Sequence, residues 1–364
     1  GNFQSNNSSF DNKWIKALVK DLLSHKGESL VIAGRHQSKE VHALVSLINS
    51  SLQNIGNTLS FREILDAEIS QRENLAALVK NIDEKNITSL VILGGNPGYT
   101  SPAHLKFSES LSKLSQCVYL GTHLNETAKL ASLFIPQTHV LEEWGDTRSI
   151  DGSLSIVQPL IAPLYYGHSS IELLNLVNNN TEETGYNLVR TTWQNLLSPL
   201  SYEKSWRKVM HDGIFSDSPN PFLNIIIDSS RVVASLNSAE VKTSLPTASN
   251  LELVLSASPT LYDGRYSNNA WLQELPDPIS KLAWDNAALL SAKTAQELQL
   301  KNNDVIIIDG NGTSLEVPVW IVPGQTDYTL SLTFGYERTD AGKVGNNIGV
   351  NAFAIRSITS YDFV

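Results

Sequence analysis

Apolar positions in the first half of the chain come in short unbroken runs separated by helical stripes. The runs are residues 30–33, 90–93, 117–120 and 133–135. None alternates with polar residues, which predicts strands covered on both faces, as in a parallel sheet. Between them Val41, Leu44, Val45, Ile48 and Leu52 fall at i, i+3, i+4, i+7 and i+11, one stripe of a helix that stops at 54–56. Leu75, Leu78, Val79 and Ile82 form a second stripe. Ser101 as an N-cap and Pro102 at the first helical position introduce a third, carrying Phe107, Leu111 and Leu114. This alternation predicts an α/β domain over 1–168, doubly wound on a mostly parallel sheet.

The pattern changes in the second half. Residues 169–219 read as a helical connection, in which Tyr202, Trp206 and Val209 or Met210 share a face behind Ser201. From about 220 short β patterns take over. Residues 251–255 are an apolar run, 291–300 a short capped helix, and 303–322 two strands around Gly310 and Gly312. Leu315, Val317, Val319 and Ile321 alternate with Glu316, Pro318 and Trp320, so one face is buried, and Pro318 predicts an edge or a bulge. Residues 329–334 alternate again. A small β-barrel over 220–364 is expected. Its Gly- and Asn-rich end, 335–353 with Asn346 and Asn351, is either a surface loop or a backbone-lined wall for a partner or cofactor.

Three of the predicted strands stop at glycine: Gly34, Gly94 with Gly95, and Gly121. Glycine suits any tight turn. In open α/β sheets, however, this carboxyl edge is also where ligands bind. The loops that follow carry Arg35, His36, Asn96, Thr122 and Glu126. No G-x-G-x-x-G, G-x-x-x-x-G-K-[ST] or G-x-S-x-G is present, so the usual dinucleotide, P-loop and hydrolase-elbow signatures are missing.

Composition narrows the choice. The 364 residues are long enough for two domains. A net charge of −10 disfavours nucleic acid, whose binding rests on Lys and Arg. No apolar run approaches a membrane span. Cys117 is the one cysteine, which excludes an internal disulfide and a cysteine-ligated cluster; inside an apolar strand it reads as inert and buried. The leading Gly1 suggests a piece excised from a longer protein. His36 and His123 sit in strand-end loops as candidate ligands, His42 reads as a helix residue, and no two histidines have the i, i+4 spacing of a metal pair. Glu142 and Glu143 read as loop carboxylates, with no second catalytic group beside them.

The order of parts resembles the molybdopterin-dinucleotide oxidoreductase family, specifically its third and fourth domains, over nearly the whole chain. Residues 94–97 match that family's Gly-x-Asn-Pro turn. Residues 125–128 and 133–136 match its Thr-Glu-Thr-Ala element and the run closing in Leu-Pro. Residues 259–291 and 341–353 are similar to the iron–sulfur B subunit of alternative complex III, a membrane-bound, quinol-oxidising respiratory assembly. That resemblance implies a cofactor-free scaffold on the periplasmic side of the bacterial inner membrane, with iron–sulfur clusters elsewhere in the parent protein and other subunits as partners. The candidate cofactor positions, working or relic, are Gly34, His36, Gly94, Gly95, Asn96, Pro97, Thr122, Glu126, Thr127, Gly145, Asp151, Asn346 and Asn351. The family's Gly-Thr-x-x-Asn-x-Glu-Gly-Arg element aligns with Gly145, Asp146, Ser149, Asp151, Gly152 and Ser153, which loses its arginine. The barrel's Thr-Gly-Arg aligns with Ser256, Ala257 and Ser258, a second lost cation. Two alternatives stand beside the scaffold: a genuine molybdopterin guanine dinucleotide-binding portion, and a small-molecule α/β binding protein.

Overall fold

The computed structural model describes residues 11–34, 37–63, 71–216, 219–238 and 245–358. The chain forms two compact units. The first comprises Gly1–Ala67, Arg148–Ser155 and Ile214–Thr243; the second comprises Glu68–Thr147, Ile156–Gly213 and Ser244–Val364.

In the first unit the stripe from Val41 to Leu52 forms the helix Lys39–Ser51, with Leu52 buried at its C-cap. Residues 30–33, expected as a strand, are not one. Their neighbour is a side chain: Asn49, 1% exposed, accepts from the Val31 N–H (3.0 Å) and donates to the Val31 carbonyl (2.7 Å). One amide satisfies the backbone that a ladder would otherwise satisfy. Leu30 and Ile32 stay exposed. The strands Phe61–Arg62 and Phe222–Leu223 pair antiparallel in this unit.

The second unit contains the parallel sheet that the other runs predict. Ser89–Leu93, Gln116–Gly121 and Leu133–Pro136 lie side by side, with Leu93 opposite Leu120 and Gly121 opposite Pro136. Only the central strand is covered throughout its second half; Tyr119 and Leu120 are buried, while Val91 and Leu133 on the outer strands are exposed. Val79, Phe107, Leu111 and Cys117 pack together as a core beneath it. The expected helix behind Ser101 begins later, at Phe107–Leu111, because Lys106 takes a left-handed φ of +51° after a single 3-10 turn.

Residues 169–212 are helical, as the pattern predicts. Ser169 and Glu172 close a capping box on Ser170–Asn179. Trp193 and Trp206 from the next two helices meet edge to face, with ring centres 6.2 Å apart, and Val209 shares the buried side. Ser201 sits at the N-cap without a side-chain cap bond.

The β part is a five-stranded sheet that curls into a half-barrel and remains open. Its order is Val305–Gly310, Thr313–Ile321, Ala288–Leu290, Thr329–Thr333, Glu252–Ser256. Val317 and Val319 point into its core, with Leu290, Leu332, Phe334 and Phe353. The strand holding Pro318 is interior, not an edge. The Val319 N–H donates to the Asp304 carbonyl, so the Pro318 nitrogen faces the other side, where pairing with Ala288–Leu290 starts only at Val319. No ladder bond is lost there.

Candidate functional site: a cleft at the carboxyl edge of the parallel sheet

The site begins where Ser89–Leu93 runs into Gly94 and Gly95, both at positive φ (+68° and +70°), a conformation that strains any residue with a Cβ. The chain then turns through Asn96 into a single helical turn, Pro97–Thr100. Tyr99 anchors it. Its buried ring packs edge-on against Phe353 in the half-barrel core, and its hydroxyl donates to the Tyr336 carbonyl at 2.6 Å. Burial pushes the Tyr99 phenol well above its usual range.

A second turn, after Gln116–Gly121, is stitched to the first. Asn125 caps the helix Glu126–Leu130 through the Ala128 N–H and donates to the Tyr119 hydroxyl, which donates in turn to the Gly95 carbonyl (2.7 Å). The Asn96 side chain accepts from the Thr127 hydroxyl (2.7 Å) and donates to Glu126 (2.7 Å); the Thr127 oxygen accepts from the Gly98 N–H (2.9 Å). Gly98 is needed for this approach, since a Cβ there would lie 3.0 Å from the Thr127 nitrogen. The Gly-x-Asn-Pro and Glu-Thr-Ala elements are thus two halves of one hydrogen-bonded corner.

Glu126 then reaches the half-barrel. Its carboxylate takes Nε (2.8 and 3.0 Å) and Nη2 (2.8 Å) of Arg338 and the backbone N–H groups of Thr339 and Asp340. Burial opposes ionisation, but the bonds from Arg338 and Asn96 outweigh it and hold the carboxyl at about 2. Arg338 donates further to the Gly264 carbonyl (2.6 Å) and lies over the Tyr99 ring. Lys129 pairs with Asp340 beside it.

Between these turns and the loops 263–271 and 338–342 lies a cleft of about 1070 Å³. Gly94, Gly95, Asn96 and Thr122 line it, as does His123. Pro97, Glu126 and Thr127 form the corner described above. Asn346 braces the far loop, accepting from Ala341 N–H and donating to the Gly342 carbonyl. Asn351 bonds Phe353 and Glu337 within the half-barrel and does not line the cleft. Gly145 opens a separate strand, Gly145–Arg148. Gly34 and Asp151 belong to the first unit. There Asp151 accepts from Ser149 and Ser153, which hold its carboxyl down at about 2. Arg35 and His36 lie outside the described residues.

Ser153 and Ser258, where the resemblance expects cations, are not among the residues lining the cleft. Ser153 is in the Asp151 turn of the first unit, and Ser258 is a buried turn residue capping Thr260 and Leu261. Asp146 accepts from the Trp193 indole, away from the cleft. Two cations line the cleft, Arg265 and Arg338, neither of which stands out in the sequence pattern; Gln137, His139 and Trp271 line it as well. Glu142 fixes its own loop by accepting from His139 and Leu164 N–H groups, and Glu143 accepts from Thr138.

A phosphate-bearing cofactor needs unengaged cations or convergent N–H groups. The glycine turn offers the shape. The charge does not fit. Arg265 is forked onto Asp263 (2.8 and 2.7 Å), and Arg338 is held by Glu126. Across the lining Arg265 and Arg338 are offset by Asp263 and Asp340, leaving the cleft electrically neutral apart from its histidines. Neither guanidinium on the cleft is left unengaged for a pyrophosphate. Among the described residues no group of three or more His, Cys, Asp or Glu side chains is arranged to hold a metal ion.

The three-stranded parallel sheet with its corner of glycine turns, joined to an open half-barrel, is an arrangement with a counterpart among solved structures. Among solved structures the chain is similar to acetylene hydratase from Pelobacter acetylenicus, with a TM-score of 0.54 over 78% of this chain and 15% identity. The likeness is one of fold, and the chain spans 43% of that protein's length. No family model and no curated protein matches the sequence.

Proposed function

We propose that this chain is the non-catalytic scaffold portion of a molybdopterin-oxidoreductase-like iron–sulfur subunit. Its parent would be a respiratory quinol-oxidising complex of the alternative complex III type, at the periplasmic face of the inner membrane. The observation that carries the cofactor-free part of this reading is the cleft's charge: each guanidinium on it is already engaged by a carboxylate. An anionic dinucleotide would compete with those carboxylates for the guanidinium groups.

The assembly part draws on the sequence resemblance and on one surface. The loops 139–143 and 159–168 are joined by Leu160 and Ile161 N–H bonds to the Leu141 carbonyl. Together they expose Val140, Leu160, Leu164, Tyr165 and Tyr166, the kind of apolar face that marks contact with other domains or subunits. No described helix is long and apolar enough to cross a membrane, in keeping with a peripheral place. The intact Gly94–Asn96 turn favours the second reading, a working molybdopterin guanine dinucleotide site. Growth on tungstate in place of molybdate separates the two. The scaffold reading predicts that quinol oxidation by membranes carrying the full-length protein is unchanged; its loss would overturn that reading.

A further inference from the structure

The same cleft has more to it than neutral charge. At about 1070 Å³ it lies just above the range for small-molecule sites, roughly 300–1,000 Å³. Its lip carries Trp271, 86% exposed, with Tyr266 half exposed. An indole held that far into water is unusual and typical of contact surfaces. Asn269, whose side chain caps both the Trp271 and Leu272 N–H groups, fixes the backbone that presents it.

Hydrogen-bonding groups line the same cleft. The Leu141 N–H donates to His139 Nδ1 (3.2 Å), so the neutral ring carries its proton on Nε2, a donor. The Gln137 amide oxygen lies beside Gly94 in the lining. The geometry points to a site for a neutral ligand built on a flat ring with hydrogen-bond acceptors, nucleoside-like but without phosphate. The ring would stack on Trp271 and accept from His139. This inference rests on the scaffold reading of the cleft. A neutral ring leaves the Arg265–Asp263 and Arg338–Glu126 pairs intact, whereas an anion competes with Asp263 and Glu126 for the same guanidinium donors.

Adenosine and AMP are suitable probes, since they share a ring and differ by a phosphate. Titration of the full chain, followed by ligand-observed NMR and calorimetry, is expected to show adenosine binding at least tenfold more tightly than AMP. Trp271→Ala should weaken adenosine by about tenfold, the scale of one base–aromatic stack. Asp263→Asn, which frees Arg265, should shift the preference toward AMP, a change that mere loosening of the fold would not produce. Tighter binding of AMP to the native chain, adenosine binding indifferent to Trp271→Ala, or no binding of either at millimolar concentration would each overturn the proposal. If neither probe binds and quinol oxidation survives tungstate growth, this inference fails alone; if oxidation is lost on tungstate, the scaffold reading has failed first.

Discussion

Glu126 is ionised in a place that opposes ionisation, and the cause is Arg338. The two side chains are 11% and 8% exposed, so removing the arginine strands a buried carboxylate. Arg338→Met is expected to cost about 3–5 kcal/mol at neutral pH, measured by urea unfolding. The pH dependence follows from the sign of the shift. The folded carboxyl sits at about 2 against an ordinary 4.5, so its contribution is complete above pH 4.5 and is lost as pH falls toward 2. The gap between native and Arg338→Met chains should therefore narrow across that window. A gap that stays constant from pH 7 to 3 would mean that the pair is not coupled to folding. Neither partner announces the other in the sequence: they are 212 residues apart, and Arg338 lies in a stretch whose Gly and Asn content reads as loop.

At the scale of elements, the corner depends on two strand-end turns meeting closely. Gly98 is where they touch; a side chain there would press on the backbone of Glu126 and Thr127. Gly98→Val is expected to destabilise the second unit by about 1–3 kcal/mol, as overpacking does, and to shift the amide NMR signals of both turns. Unchanged stability with unmoved Glu126–Leu130 signals would contradict the close approach. The parallel strands were legible in the sequence because continuous apolar runs are a local signal, and three of the four runs are strands. The fourth, 30–33, carries the same signal yet pairs with the Asn49 side chain, because strand formation needs a neighbour that the run itself does not encode. Pro318 misleads for a related reason. Its consequence depends on where the adjoining ladder starts, which is a property of the sheet. The glycine and asparagine of the first turn were readable from residues 94–97. Arg265, Gln137 and Trp271 were not, since they reach the cleft only through tertiary folding.

For the molecule as a whole, the fold and the contents of its cleft point in different directions. The second unit sets the glycine turn, the Asn96 corner and the half-barrel wall around one cleft. The charges on that edge are paired from within, by Asp263 on one arginine and Glu126 on the other. Shape is set by backbone and survives side-chain change, whereas anion binding depends on whether each guanidinium has an internal partner. On the proposed function, this chain keeps the architecture without holding the dinucleotide. Molybdenum and pterin content, measured together on the full-length protein from cells competent to make the cofactor, tests it most directly. The account predicts both far below one equivalent per chain; a stoichiometric amount of each would contradict it.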